Sequence, residues 1–239
     1  MTYDPETEAH ESRPPRERAV NDLSPVVIGL ALAIVAIEAV LQLADRGLIG
    51  GPAAIGWRMD AIQEYGFSGL VFEQVWTLGN YDPDLLKRFV TYPFINYTFT
   101  QVAFCAALTL ALGKFASEFY GGLKVLAIWL VTAVAGAAIY GALVRDAYPL
   151  FGGFPPVYGL IGAYTYALWL RQKAAGERQI RAFRLIGFLL AIQLLFGLIF
   201  GGSPAWIAEV SAFAVGFAVS TVLAPGGWGR LVERMRNRG

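Results

Sequence analysis

Two acidic side chains, Glu38 and Glu209, stand inside apolar stretches that are long enough to cross a bilayer. A charged side chain at the bilayer centre costs about 2.5–3.5 kcal/mol on insertion scales, so each carboxyl group must pair, face water or be protonated. Gln42 follows Glu38 by one helical turn and shares its face. We expect Glu38 to be a hydrogen-bond partner inside a helix bundle, with a role in binding a client helix as the alternative.

Glu209 allows three interpretations. It is a proton or ion site, a polar clamp for a bound helix, or a protonated carboxyl group that is hydrogen-bonded to Asn96 or Gln101. We favour the third interpretation, because a neutral carboxyl group with a hydrogen-bond partner avoids the cost of an unpaired buried charge.

Nucleophilic catalysis would need a hydroxyl or thiol group beside a base. The only histidine, His10, lies in a polar N-terminal segment, and no serine occurs between Ser117 and Ser203. Thr98 and Cys105 are conceivable nucleophiles, but no histidine or intramembrane lysine is available as their base. The chain has no His/Cys cluster at metal-ligand spacing and no nucleotide motif, so we predict neither a metal nor a cofactor.

The amino-acid composition predicts a membrane protein. Of 239 residues, 56% are hydrophobic and 15% are charged, whereas about 25% of a typical soluble domain is charged. The net charge of +1 gives no basic surface for nucleic acid, so we predict the lipid bilayer and other membrane proteins as partners.

Six stretches have about the 20 apolar residues that a membrane helix needs. They cover residues 25–44, 92–113, 125–144, 150–170, 185–202 and 205–224. We predict a polar tail over residues 1–24, a membrane domain over residues 25–224 and a basic tail over residues 225–239.

The distribution of Lys and Arg predicts the orientation, because cytoplasmic loops collect these residues. With both termini in the cytoplasm, fourteen of the nineteen Lys and Arg residues lie inside and five lie outside. Residues 45–89 then form a long outer loop that is rich in Trp, Tyr and Phe, which favours a position at the membrane–water interface. An ordinary cap outside the membrane is the alternative.

Two segments contain closely spaced small residues. Residues 152–163, GGFPPVYGLIGA, resemble the fourth membrane helix of rhomboid intramembrane proteases, whose pattern there is roughly G-x-S-G-x-x-F-G-L-x-G-A. Gly159 and Gly162 match that pattern, and Phe154 stands where the family has its catalytic serine. Residues 208–216 resemble the sixth helix, A-H-x-G-G-F-x-x-G. Ala212 and Gly216 keep the small-residue positions, and Glu209 stands in place of the catalytic histidine.

The second predicted span carries the same resemblance. Residues 87–105 are similar to the family pattern W-R-x-x-T-x-x-F-x-H-x-x-x-x-H-x-x-x-N, which Arg88 and Thr91 match. Asn96 and Gln101 replace the two histidines, and Cys105 replaces the asparagine. In active members the second histidine and the asparagine help to hold the oxyanion.

Further along the chain, Glu118 and Gly122 resemble the family's E-x-x-x-G. The resemblance implies a six-transmembrane-helix rhomboid-like bundle in which Phe154 fills the former nucleophile position. Pro155 and Pro156 lack the backbone N–H groups that an oxyanion site would use.

The pattern favours a pseudoprotease of the bacterial inner membrane. It would bind transmembrane helices of other proteins through the gap between its second and fifth spans. The alternatives are a structural subunit of a larger membrane complex and a divergent but active serine-type endopeptidase. A small transporter that uses Glu38 and Glu209 is also open, although the sequence has no inverted repeat to favour it.

Overall fold

A computed structural model describes residues 23–200 and 202–225 of the chain. Almost all of the predicted polar tail and basic tail lie outside these ranges. Within the described residues the chain is helical and forms no β-strand, apart from a single antiparallel bridge between Phe67 and Leu150. The predicted all-α class is therefore confirmed.

Six long helices form the bundle, and short helices fill the segment between the first two. The long helices are α1 (Pro25–Asp45), α6 (Phe99–Tyr120), α7 (Gly122–Leu143), α8 (Phe154–Ala174), α9 (Arg184–Phe200) and α10 (Trp206–Leu223). The short helices are α2 (Trp57–Tyr65), α3 (Gly69–Phe72), α4 (Pro83–Leu86) and α5 (Arg88–Thr91), with single turns at Gly51–Ala54, Glu73–Thr77, Tyr92–Phe94 and Gln179–Phe183.

The second membrane helix begins at Phe99, not near Tyr92 as predicted. Tyr92–Phe94 form a single tight turn that contains Pro93, and Ile95 is extended. Thr98 then caps α6 by accepting a hydrogen bond from the N–H of Gln101, as threonine commonly does at helix starts. The apolar run therefore contains a turn and a loop before its helix.

Four of the described helices, α1, α6, α7 and α10, are long and apolar enough to cross a membrane. α8 is less apolar, but almost all of its first fourteen residues are buried among the other helices, so it needs no lipid-facing surface. α9 has 17 residues and a length of about 25 Å, slightly under the hydrocarbon thickness of about 30 Å. These helices form the membrane bundle of an integral membrane protein.

The first loop is packed against one end of the bundle, which we call the loop end. The backbones of Phe67 and Leu150 exchange two hydrogen bonds of 2.9 and 2.6 Å, and the Phe67 ring is fully buried against Phe89. A side chain at Gly69 would overlap the carbonyl oxygen of Val144 at the end of α7. These contacts fix the loop to α7 and to the segment before α8.

α9 is the exception to this close packing. Within the described residues it makes few contacts with any other membrane helix, and Phe188 and Leu195 are 64% and 54% exposed. The turn before it, Gln179–Phe183, packs against α8. Phe188 and Leu195 therefore present apolar side chains away from the described part of the bundle.

Candidate functional site

The predicted site residues meet at the loop end, where the starts of α6, α8 and α10 converge beside the turn at Tyr92–Phe94. Two glycines precede α8. Gly152 has a φ of +100°, a conformation that side-chain-bearing residues rarely adopt, and its N–H donates to the carbonyl of Tyr92 at 3.0 Å. The N–H of Gly153 donates to Asn96 Oδ1 at 3.4 Å. The backbone donors of both glycines are thus already used within the chain.

Asn96 is completely buried and is held on several sides. Besides accepting from Gly153, its side-chain nitrogen donates weakly to the carbonyl of Phe94 at 3.5 Å. Its backbone carbonyl accepts a 2.6 Å hydrogen bond from Arg58 Nη1. Asn96 therefore acts as a bridge between the first loop and the start of α8.

Gln101 and Cys105 lie one and two turns into α6, on the side that faces these glycines. Gln101 Oε1 accepts from the N–H of Tyr97 at 3.2 Å, and its side-chain nitrogen fills the space beside Gly152. The Cys105 thiol is fully buried against the backbone of Gly153. Together these two side chains close the region in front of the glycines.

Phe154 is the first residue of α8, followed by Pro155 and Pro156. Proline is tolerated here because the first N–H groups of a helix have no helical partner. The Phe154 ring is half-buried and packs against the core, while both prolines are buried. The first turn of α8 therefore offers an apolar ring and two positions without donors.

Glu209 lies in the first turn of α10, where the helix dipole favours an acidic group. Its side chain is buried, with an exposed fraction of 7%. The carboxyl group lies within electrostatic range of the hydroxyl groups of Tyr92 and Tyr158 and of the thiol of Cys105. The first turn of α10 therefore lies close to the start of α8 and to the first half of α6.

Glycines allow this convergence. A side chain at Gly216 of α10 would overlap the backbone carbonyl of Gly159 on α8, and one at Gly162 would overlap the carbonyl of Phe213. A side chain at Gly159 would in turn overlap Thr132 of α7. Close approach of helices at small residues is typical of membrane proteins. Ala212 lies in the same contact, beside Gly136 of α7.

Arg88 and Thr91 tie α5 to the end of α2. Arg88 Nη1 donates to the carbonyl of Gly66 at 3.4 Å, and Thr91 Oγ1 donates to the carbonyl of Tyr65 at 3.0 Å. At the opposite end of the bundle, Glu118 is exposed on α6, and Gly122 leaves room for Ser24 at the start of α1. None of these four residues lines the site. Arg88 and Thr91 lie near it, and Glu118 and Gly122 lie at the opposite end of the bundle.

Arg58 is a buried cation that the sequence analysis assigned only to the outer loop. Its guanidinium group donates to Glu38 twice at 3.0 Å and to Asp45 at 2.9 Å, while Gln42 donates to Glu38 at 2.8 Å. Burial alone would lower the pKa of Arg58, but its hydrogen bonds and charge interactions with Glu38 and Asp45 raise the pKa above its ordinary value. We call these four residues the Arg58 cluster. The sequence feature that indicated this cluster is Glu38, because an acidic side chain inside an apolar helix needs a partner that offsets its charge.

The other residue that sequence analysis missed is Tyr158, one turn into α8, which shares electrostatic contact with Glu209. Across the residues the structure describes, no group of three His, Cys, Asp or Glu side chains is arranged to hold a metal ion. The site is a buried cluster of amide, thiol, phenol and carboxyl groups close to the start of α8.

The family model described as "Rhomboid domain" matches residues 83–226, which is more than half of the chain. That range contains α4 to α10 and every side chain that forms the site. A search of curated proteins finds no match to this chain.

Proposed function

Because the chain belongs to the rhomboid family, we propose that it is a catalytically inactive member that binds or retains transmembrane segments of client proteins. The observation that carries this proposal is the composition of the converged site. Phe154 and Glu209 stand where the resemblance puts the catalytic serine and histidine. A serine-type reaction needs a hydroxyl group activated by a base. Phe154 has no hydroxyl group, and Glu209 offers a carboxyl group in place of the imidazole.

The hydrogen bonds of the site support the loss of activity. An oxyanion site needs donors aimed at an empty position. Here the N–H groups of Gly152 and Gly153 are bonded to Tyr92 and Asn96, and the next two residues of the chain after Phe154 are prolines. A substrate carbonyl group would have to break these bonds to find donors.

The position of α9 supports binding of a client helix. The apolar side chains of Phe188 and Leu195 on α9 are exposed, and a transmembrane segment could enter beside them from the bilayer. Such a segment would meet the start of α8 and the apolar ring of Phe154. The bacterial inner membrane, with both termini in the cytoplasm, is the location that the Lys and Arg distribution favours.

Catalytic inactivity is tested in proteoliposomes that contain the purified protein and a fluorogenic transmembrane peptide. We expect no cleavage above that of empty liposomes, because position 154 carries no hydroxyl group and position 209 carries no imidazole. Glu209→Gln and Phe154→Ala are expected to behave like the unchanged protein. Cleavage by the unchanged protein that Glu209→Gln abolishes would instead identify a divergent active endopeptidase.

Client entry is tested with a photoreactive amino acid in place of Phe188, in native membranes. We expect crosslinks to discrete membrane proteins, because this exposed side chain lies on α9, where we propose that a client helix enters. Val131, which is 43% exposed on α7, is the matched control and should label mainly lipid. Equal labelling of many proteins from positions 188 and 131 would indicate non-specific contact. Labelling of a single partner at fixed stoichiometry from both positions would favour a structural subunit.

A further inference from the structure

An apolar cavity of about 460 Å³ lies between α1, α2 and the turn before α6. Ala36, Ile37 and Val40 line it from α1, Ala61 and Tyr65 from α2, and Phe94 from the turn. Asn96, Gln101, Cys105, Phe154 and Glu209 do not line it.

The cavity is continuous with the outer surface of α1. Val40 lines the cavity and is also 48% exposed, and Leu32 and Val35 on the same helix are 62% and 44% exposed. Since α1 is long and apolar enough to cross a membrane, this surface faces the hydrocarbon region of the bilayer. Whatever fills the cavity enters from there.

The size and the lining of the cavity restrict its occupant. Water needs two to four polar partners, and the lining is almost wholly apolar. A membrane helix is too large, because with a diameter of about 10–12 Å a single turn has a volume of roughly 500 Å³. An acyl chain is thin enough to enter and long enough to fill the space.

Charged groups lie next to Tyr65, one of the residues that line the cavity. Lys87 Nζ lies 5.0 Å from the centre of the Tyr65 ring and contacts Asp84 at 2.8 Å and Glu64 at 3.3 Å. The hydrogen bond between Lys87 and Asp84 lowers the pKa of Asp84 and raises that of Lys87, so both groups are charged at neutral pH. A cation flanked by two acids complements a headgroup that carries both a phosphate and an ammonium group.

We propose that this cavity is a binding site for one zwitterionic phospholipid of the ethanolamine type. One acyl chain lies between α1 and α2, the phosphate lies beside Lys87, and the ammonium group lies beside Glu64 and Asp84. Apart from the cavity and the charged groups beside it, this proposal requires only that the protein is embedded in a membrane. It does not depend on whether the protein binds client helices or cleaves them.

Native mass spectrometry of the intact protein, extracted in a mild detergent from membranes that contain ethanolamine and glycerol phospholipids, tests the proposal. We expect one retained ethanolamine phospholipid per chain. Ala36→Phe puts a ring into the cavity and should weaken retention about tenfold, because it displaces several methylene groups. Ala39→Phe makes the same change at an exposed position of α1 outside the cavity and should retain the lipid. The thermal transition of each variant shows that it is folded.

The headgroup is tested separately. Lys87→Glu removes the phosphate partner, and it should abolish the preference for ethanolamine over glycerol headgroups in a competition between the two lipids. Equal lipid retention by Ala36→Phe, Ala39→Phe and the unchanged protein would overturn the site. So would the absence of any retained lipid in the unchanged protein. A preference that Lys87→Glu leaves unaltered would overturn the headgroup assignment.

Discussion

Replacing Gly216 with alanine is expected to lower the free energy of unfolding by about 3 kcal/mol, near the upper end of the usual cost of overpacking. The added methyl group would overlap the carbonyl oxygen of Gly159. Because the obstacle is backbone and not a flexible side chain, α8 and α10 must move apart. That movement would also separate Glu209 from Tyr158. Reversible unfolding in mixed micelles, followed by circular dichroism, measures the change.

Gly29 of α1 supplies the matched control. A methyl group added there meets nothing within 4 Å, so Gly29→Ala should be neutral or slightly stabilising because alanine restricts the unfolded chain. If the two variants had the same stability, the close crossing of α8 and α10 would be wrong.

Replacing Arg58 with alanine is expected to cost a similar amount, about 3 kcal/mol, because it leaves a buried carboxylate without its cation. The side chains of Arg58 and Glu38 are only 11% and 2% exposed, so solvent cannot substitute for the lost partner. The same change removes the hydrogen bond to the carbonyl of Asn96, which holds the wall of the site. Unfolding in mixed micelles again provides the measurement.

The exposed pair of Arg181 and Glu177 is the control for Arg58. Its atoms lie 3.7 Å apart, and both side chains are about half exposed, so Arg181→Ala should cost less than about 1 kcal/mol. A double replacement of Glu38 and Arg58 by leucine should be less harmful than Arg58→Ala alone, since no charge is left unpaired. An additive loss in the double variant would show that the two side chains do not interact as described.

The fold could be predicted from the sequence because its main determinants are local. Long apolar segments have few ways to satisfy their backbone in a membrane other than as helices. The small residues Gly159, Gly162 and Gly216 identify helix surfaces that can approach closely. The start of α6 was missed because hydropathy does not distinguish an apolar turn from an apolar helix, and the turn at Pro93 is as apolar as the helix that follows.

The contacts of the site were harder to predict because they join distant parts of the chain. The sequence placed Asn96, Gln101, Cys105, Phe154 and Glu209 in a site only through a resemblance. The one pairing predicted among them was a hydrogen bond from Glu209 to Asn96 or Gln101. Arg58 is twenty residues from Glu38 and lies in a loop whose course depends on tertiary contacts with α1 and Asn96. Tyr158 was not predicted because its electrostatic interaction with Glu209 depends on the packing of α8 against α10.

The most direct test of an inactive, client-binding rhomboid protein is photo-crosslinking from position 154 in native membranes. We expect a photoreactive residue in place of Phe154 to label the same discrete membrane proteins as one in place of Phe188. That result would show that segments entering beside α9 reach the start of α8. Lipid alone at position 188 and no product at position 154 would contradict the account, because the site would then be closed to other helices.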